Sequence, residues 1–64
     1  MDNFFKAVND KQLGICLRML YSDEIQGIVK TVKNSIGKIE FHIYINANED
    51  EFECLRNQYE MLIS

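Results

Sequence analysis

Residues 22–37 read SDEIQGIVKTVKNSIG, and whether they form helix or strand decides the fold. Ser22 could cap a helix carrying Ile25, Ile28, Val29 and Val32. Ile28, Val29, Thr31 and Val32 are β-branched, however. Such side chains lose freedom in a helix and suit a pleated sheet. The four residues NSIG (34–37) have the chemistry of a tight turn: Asn comes first, and Gly last, where a positive φ is wanted. A turn there joins 28–33 to 38–46 as a β-hairpin, which is favoured over an additional helix.

The second arm of that hairpin, KIEFHIYIN (38–46), alternates with period two. Ile39, Phe41, Ile43 and Ile45 point one way; Glu40, His42, Tyr44 and Asn46 point the other. Upstream, NFFKAV (3–8) is aromatic and β-branched and reads as a short strand. Asn9 and Gln12 then have capping-box spacing, and Leu13, Cys16, Leu17 and Leu20 recur at helical intervals over 10–22. Gly14 inside that helix is costly relative to Ala, and a close approach to the sheet would be a reason to keep it. Downstream, Asn48 and Glu51 repeat the capping spacing. Phe52, Leu55, Tyr59 and Leu62 then form the buried stripe of a helix over 49–63.

The order is β-α-β-β-α, an α+β fold. Two helices must bury their stripes against one face of a three-stranded sheet. A right-handed crossover leaves room for the third strand between the first two, giving the order 1-3-2. This is a ferredoxin-like fold lacking its last strand, with the first strand left as an edge. Sixty-four residues make a single domain, 1–64. A core of that size is small, and such domains usually gain support from disulfides, a metal or oligomerisation. Cys16 and Cys54 fall in helical patterns with no CxxC or Cys/His pairing. No signal-peptide pattern opens the chain. Buried thiols in a reducing cytoplasm are therefore expected, and oligomerisation is the expected support.

The run of elements resembles a family of small bacterial "putative signal-transducing" domains of unknown function, similar in topology to half of a PII-like regulator. The matching pieces are FFKAVNDKQLGICLRMLYSDEI, QGIVKTVKN and FHIYINANEDEFECLRNQYEMLI, nearly the whole chain. Leu13-Gly14-Ile15-Cys16 stands where that family commonly has small residues and a Glu. The resemblance implies a fold and a signal-transduction-like role. It implies no activity, cofactor or functional residue.

His42, the single histidine, has no Ser/Asp or Cys partner at catalytic spacing and no companion ligands, so neither a metal nor catalysis is read into it. It belongs instead to the sheet face turned away from the helices. That face is expected to carry Phe4, Lys6 and Val8 from the first strand and Glu40, His42 and Tyr44 from the third; the pattern leaves the side of the second strand open, and the logic that turns a lysine outward puts Lys30 there with Ile28 and Val32. Lys6 sets the choice for the first strand, since a lysine under the helices would be buried unpaired. A partly apolar patch of this kind marks an interaction site. The expected function is a non-catalytic module that forms a homodimer or binds another protein, through this face or the free edge of the first strand. A small-molecule-sensing oligomer is the alternative, followed by a single-stranded RNA binder, which aromatics and lysines on an open sheet also describe. The net charge of −3 argues against nucleic acid. No apolar run is long enough for a transmembrane helix, and no cofactor is implied.

Overall fold

A computed structural model describes residues 4–64. Its elements are β1 (Phe4–Ala7), α1 (Asp10–Ser22), β2 (Gly27–Lys33), β3 (Ile39–Ile45) and α2 (Glu49–Ile63). β3 lies between β1 and β2 and is antiparallel to both. The expected ferredoxin-like order is present, with three strands among the described residues. Asn3, at the start of the expected first strand, lies outside them.

Local chemistry fixes where each helix begins and ends. Asn9 Oδ1 accepts from the Gln12 N–H at 2.8 Å. Gln12 reaches back one residue further than a capping box would, and its Oε1 accepts from the Val8 N–H at 3.1 Å. At the other end the Ile25 N–H donates to the Leu20 carbonyl at 2.9 Å, and the Glu24 N–H to the Tyr21 carbonyl at 3.0 Å. Glu24 sits at φ 58. This is a Schellman stop, with a glutamate in the left-handed position that glycine usually takes. It closes the helical alternative for 22–34. Ser22 ends α1 and caps nothing beyond it; its hydroxyl donates to the Arg18 carbonyl. For α2, Asn48 Oδ1 accepts from the Glu51 N–H at 2.8 Å, and Glu49, Asp50 and Glu51 complement the positive helix terminus.

The hairpin turn is built by Asn34. Its carbonyl accepts from the Gly37 N–H at 3.0 Å. Its Oδ1 accepts from the N–H groups of Ile36 and Lys38 at 3.0 and 2.9 Å. Gly37 lies at φ 86 with open space around it. A side chain there meets no clash, so any cost comes from the backbone. Gly37→Val should therefore destabilise by about 1–2 kcal/mol, the left-handed penalty of a residue with a Cβ, β-branching being the worst case. Gly37→Asn should cost distinctly less. Urea unfolding of the two variants checks this, and equal midpoints for Val and wild type would rule it out.

The core joins one sheet face to both helices. Phe5, Ala7, Ile43 and Ile45 from the sheet meet Cys16, Met19 and Leu20 of α1 and Leu55 and Tyr59 of α2. Three expected core positions are corrected. Leu17 and Leu62 are exposed, and the buried or partly buried neighbours are Met19 and Ile63. Each helix is rotated slightly from the stripe that leucine alone would choose. Ile39 lies on the helix-facing side of the sheet, as its alternation requires, yet is 56% exposed, because the helices stop short of the hairpin end. Gly14 makes no close approach to anything: a Cβ there would have no neighbour within 4 Å. Cys16 is buried, and burial pushes its thiol up to about 11. Cys54 is exposed, against expectation.

Candidate interaction face

Strand register decides which side chains share the open face. Phe4 pairs with Tyr44 and Lys6 with His42 across β1 and β3. Ile28 pairs with Tyr44, Lys30 with His42 and Val32 with Glu40 across β2 and β3. Directly opposed residues project to the same side of a sheet. The odd-numbered partners Phe5, Ala7 and Ile43 are in the core, so Phe4, Lys6, Ile28, Lys30, Val32, Glu40, His42 and Tyr44 occupy the opposite face. Val8 is the exception among the expected face residues. β1 ends at Ala7, and Val8 lies in the bend that leads into α1.

The face has internal structure that spacing alone does not convey. Glu40 is only 8% exposed. Its Oε2 accepts from His42 Nε2–H at 3.1 Å and pairs with Lys6 Nζ at 3.4 Å. An ionised carboxylate can only accept, so the proton sits on His42 Nε2. The His42 ring stacks on Phe4, with centroids 4.6 Å apart at 28°. Phe4 also meets Tyr44 at 5.2 Å, and Lys30 Nζ stands 5.2 Å from the Tyr44 ring centroid. His42 is thus held between a carboxylate and a phenyl ring, with its side chain 17% exposed. It is less solvent-facing than a strand histidine on an uncovered face would be. The alternation places His42 correctly; the stacking depends on Phe4 arriving from a strand far away in sequence.

The His42 hydrogen bond, with Lys6 and Asn34 adding to it, holds the Glu40 carboxyl below its ordinary value of 4.5, against the opposing effect of burial. A carboxyl depressed in the folded state binds its proton more readily when unfolded. Its stabilisation is therefore present above the unfolded value and is lost as pH falls toward the folded one. Urea midpoints should decline below about pH 5 in the wild type. Glu40→Gln should be less stable at neutral pH and should decline less in acid. Parallel acid slopes for the two proteins would remove Glu40 from the account.

The two edges of the sheet differ. The Asn34 N–H donates to the Lys38 carbonyl at 2.8 Å, which sets the phase of the hairpin ladder. Hydrogen-bonded pairs alternate along antiparallel strands. Ile28, Lys30 and Val32 therefore bond inward to β3, while the backbone groups of Val29, Thr31 and Lys33 point outward. By the same alternation Phe5 and Ala7 bond inward from β1, and Phe4 and Lys6 point outward. The Lys6 carbonyl is not free: Tyr59 Oη–H of α2 donates to it at 2.9 Å. Burial pushes that phenol up to about 12, with the buried Cys16 adding to it, so it remains a donor throughout the ordinary pH range.

No grouping of three or more His, Cys, Asp or Glu able to hold a metal occurs among the described residues. No helix among them is long and apolar enough to cross a membrane. No family model, curated protein or solved structure matches the chain.

Proposed function

We propose that this chain is a non-catalytic interaction module of the signal-transduction-like kind, self-associating through its open sheet face. The observation that carries the proposal is the packed cluster of Phe4, His42 and Tyr44 on a face that neither helix covers, with Ile28 beside it 66% exposed. Aromatic clusters at the centre of a patch are the usual anchors of an interface. Lys6 and Glu40 neutralise each other within it. Two features favour the face over the β1 edge. β1 has four residues among those described, and one of its outward carbonyls is already occupied by Tyr59.

Light scattering across concentration tests the proposal. The wild type should weigh about twice the 7.5 kDa of one chain. Tyr44→Asp, which places a charge in the contact, should bring the mass to that of one chain. Ile28→Lys, on a more exposed side chain, should do the same with less strain on the fold. A wild type of one-chain mass at all concentrations, with a melting temperature unchanged on dilution, would overturn self-association. A dimer that survives both substitutions would move the contact to an edge.

A second function, single-stranded RNA binding, is favoured by one arrangement: Lys30 over Tyr44 beside Phe4. The acidic balance of the chain works against it. RNA affinity would fall steeply with salt through counterion release, whereas an aromatic self-interface would not.

A further inference from the structure

Beyond the open face, β2 offers a second surface with a different chemistry. It is seven residues long, and every residue but Val32 is exposed. Its outward backbone groups, at Val29, Thr31 and Lys33, have no strand beside them among the described residues. A groove of about 540 Å³ reaches the first residue of the strand, lined by Leu17, Arg18, Tyr21, Ile25 and Gly27. Leu17, in the groove, and Val29, two residues further along β2, are both exposed.

Charge identifies the occupant. β2 carries Lys30 and Lys33 and no acidic residue, although the whole chain has a net charge of −3. No ion pair among the described residues engages Lys30, Lys33 or Arg18. A second copy paired antiparallel over the whole of β2 would set Lys30 against its own counterpart, and like charges directly opposed across a strand pair are destabilising. We infer that the β2 edge accepts an extended acidic segment of another protein by β-strand addition. In that arrangement the ladder bonds are made by Val29, Thr31 and Lys33. Carboxylates of the segment meet Lys30 on the open face, and its alternate apolar side chains lie on the helix side toward Leu17 and Val29. The lysines otherwise serve only as the ordinary guard of a free edge.

A titration of isotope-labelled protein with a short end-capped peptide alternating Glu and Val distinguishes these. The amides of Val29, Thr31 and Lys33 should shift and exchange more slowly, and those of β1 should not. A Lys-Val peptide of the same length should bind far more weakly. Thr31→Pro removes an outward donor while leaving the inward ladder intact, as proline on an edge strand allows. It should keep the fold and weaken the Glu-Val peptide by about tenfold. Lys30→Glu should reverse the preference toward the Lys-Val peptide, an outcome that holds even if Thr31→Pro fails to fold. Unchanged amides at saturating peptide, equal binding of both peptides, or undiminished binding by a folded Thr31→Pro would each overturn the inference. So would concentration-dependent protection of the three amides without peptide, which would give the edge to a second copy.

Discussion

Phe5→Ala is expected to leave the chain unfolded at 25 °C. Phe5 is 2% exposed and lies between two rings of α2, Phe52 at 5.0 Å and Tyr59 at 5.6 Å edge-on. Truncating a fully buried Phe costs about 3–5 kcal/mol, from lost transfer energy and the cavity left behind. A domain this short has a total stability of about 3–10 kcal/mol, at 0.05–0.15 per residue. The loss is therefore comparable to everything available. Phe5→Leu keeps most of the volume and should unfold cooperatively with a cost below about 1.5 kcal/mol. The neighbouring Phe4, on the open face and 37% exposed, should tolerate Ala far better. Amide dispersion and urea unfolding check all three. A folded Phe5→Ala within about 1 kcal/mol of wild type would mean that the core is centred elsewhere.

Gly27→Val should be nearly as damaging, for the opposite reason. A Cβ at Gly27 would stand 2.9 Å from Ile43 Cγ2 and 3.2 Å from Leu20 Cδ1. Both side chains are fully buried, and Ile43 is β-branched and cannot turn its methyl aside. Overpacking of this kind costs about 1–3 kcal/mol. Valine places its branches in the same crowded direction and falls at the upper end. Gly14→Ala is the natural contrast. Nothing lies within 4 Å of its Cβ position, so the better helix former should add up to about 1 kcal/mol. Thermal unfolding of the two variants should move in opposite directions. A neutral Gly27→Val would show that β2 can shift away from α1 without loss.

That pair also marks how far the sequence could be read. The close approach of a glycine was expected at Gly14, inside a helix, and occurs at Gly27, where β2 begins beneath Leu20. Periodicity gives an element its two faces but not the distance to its neighbour. The hairpin was legible because turn chemistry is local: Asn34 and Gly37 carry it within a few residues. The open face was legible because one charge, Lys6, would be costly under the helices and so fixes the parity of its strand. The helix stripes were less so. Leu17 and Met19 are both apolar, and which one is covered depends on where the other helix lies. The burial of Glu40 and the closing of the Lys6 carbonyl by Tyr59 required contacts between distant segments, which spacing does not encode.

The Tyr59–Lys6 hydrogen bond has a consequence for how the molecule is made. Its partners are 53 residues apart. The rings around Phe5, from Phe52 and Tyr59, come from the same late stretch of chain. During synthesis the first strand emerges long before any of the surfaces that will hold it. Among the pairings of the sheet, only the β2–β3 hairpin, closed by its own turn, can form from chain already at hand. β1 must wait for β3 to give it a strand partner and for α2 to give it a wall. β1 is therefore the last strand of the sheet to be fixed, and during that interval Phe4 and Phe5 lack the neighbours that hold them in the folded state.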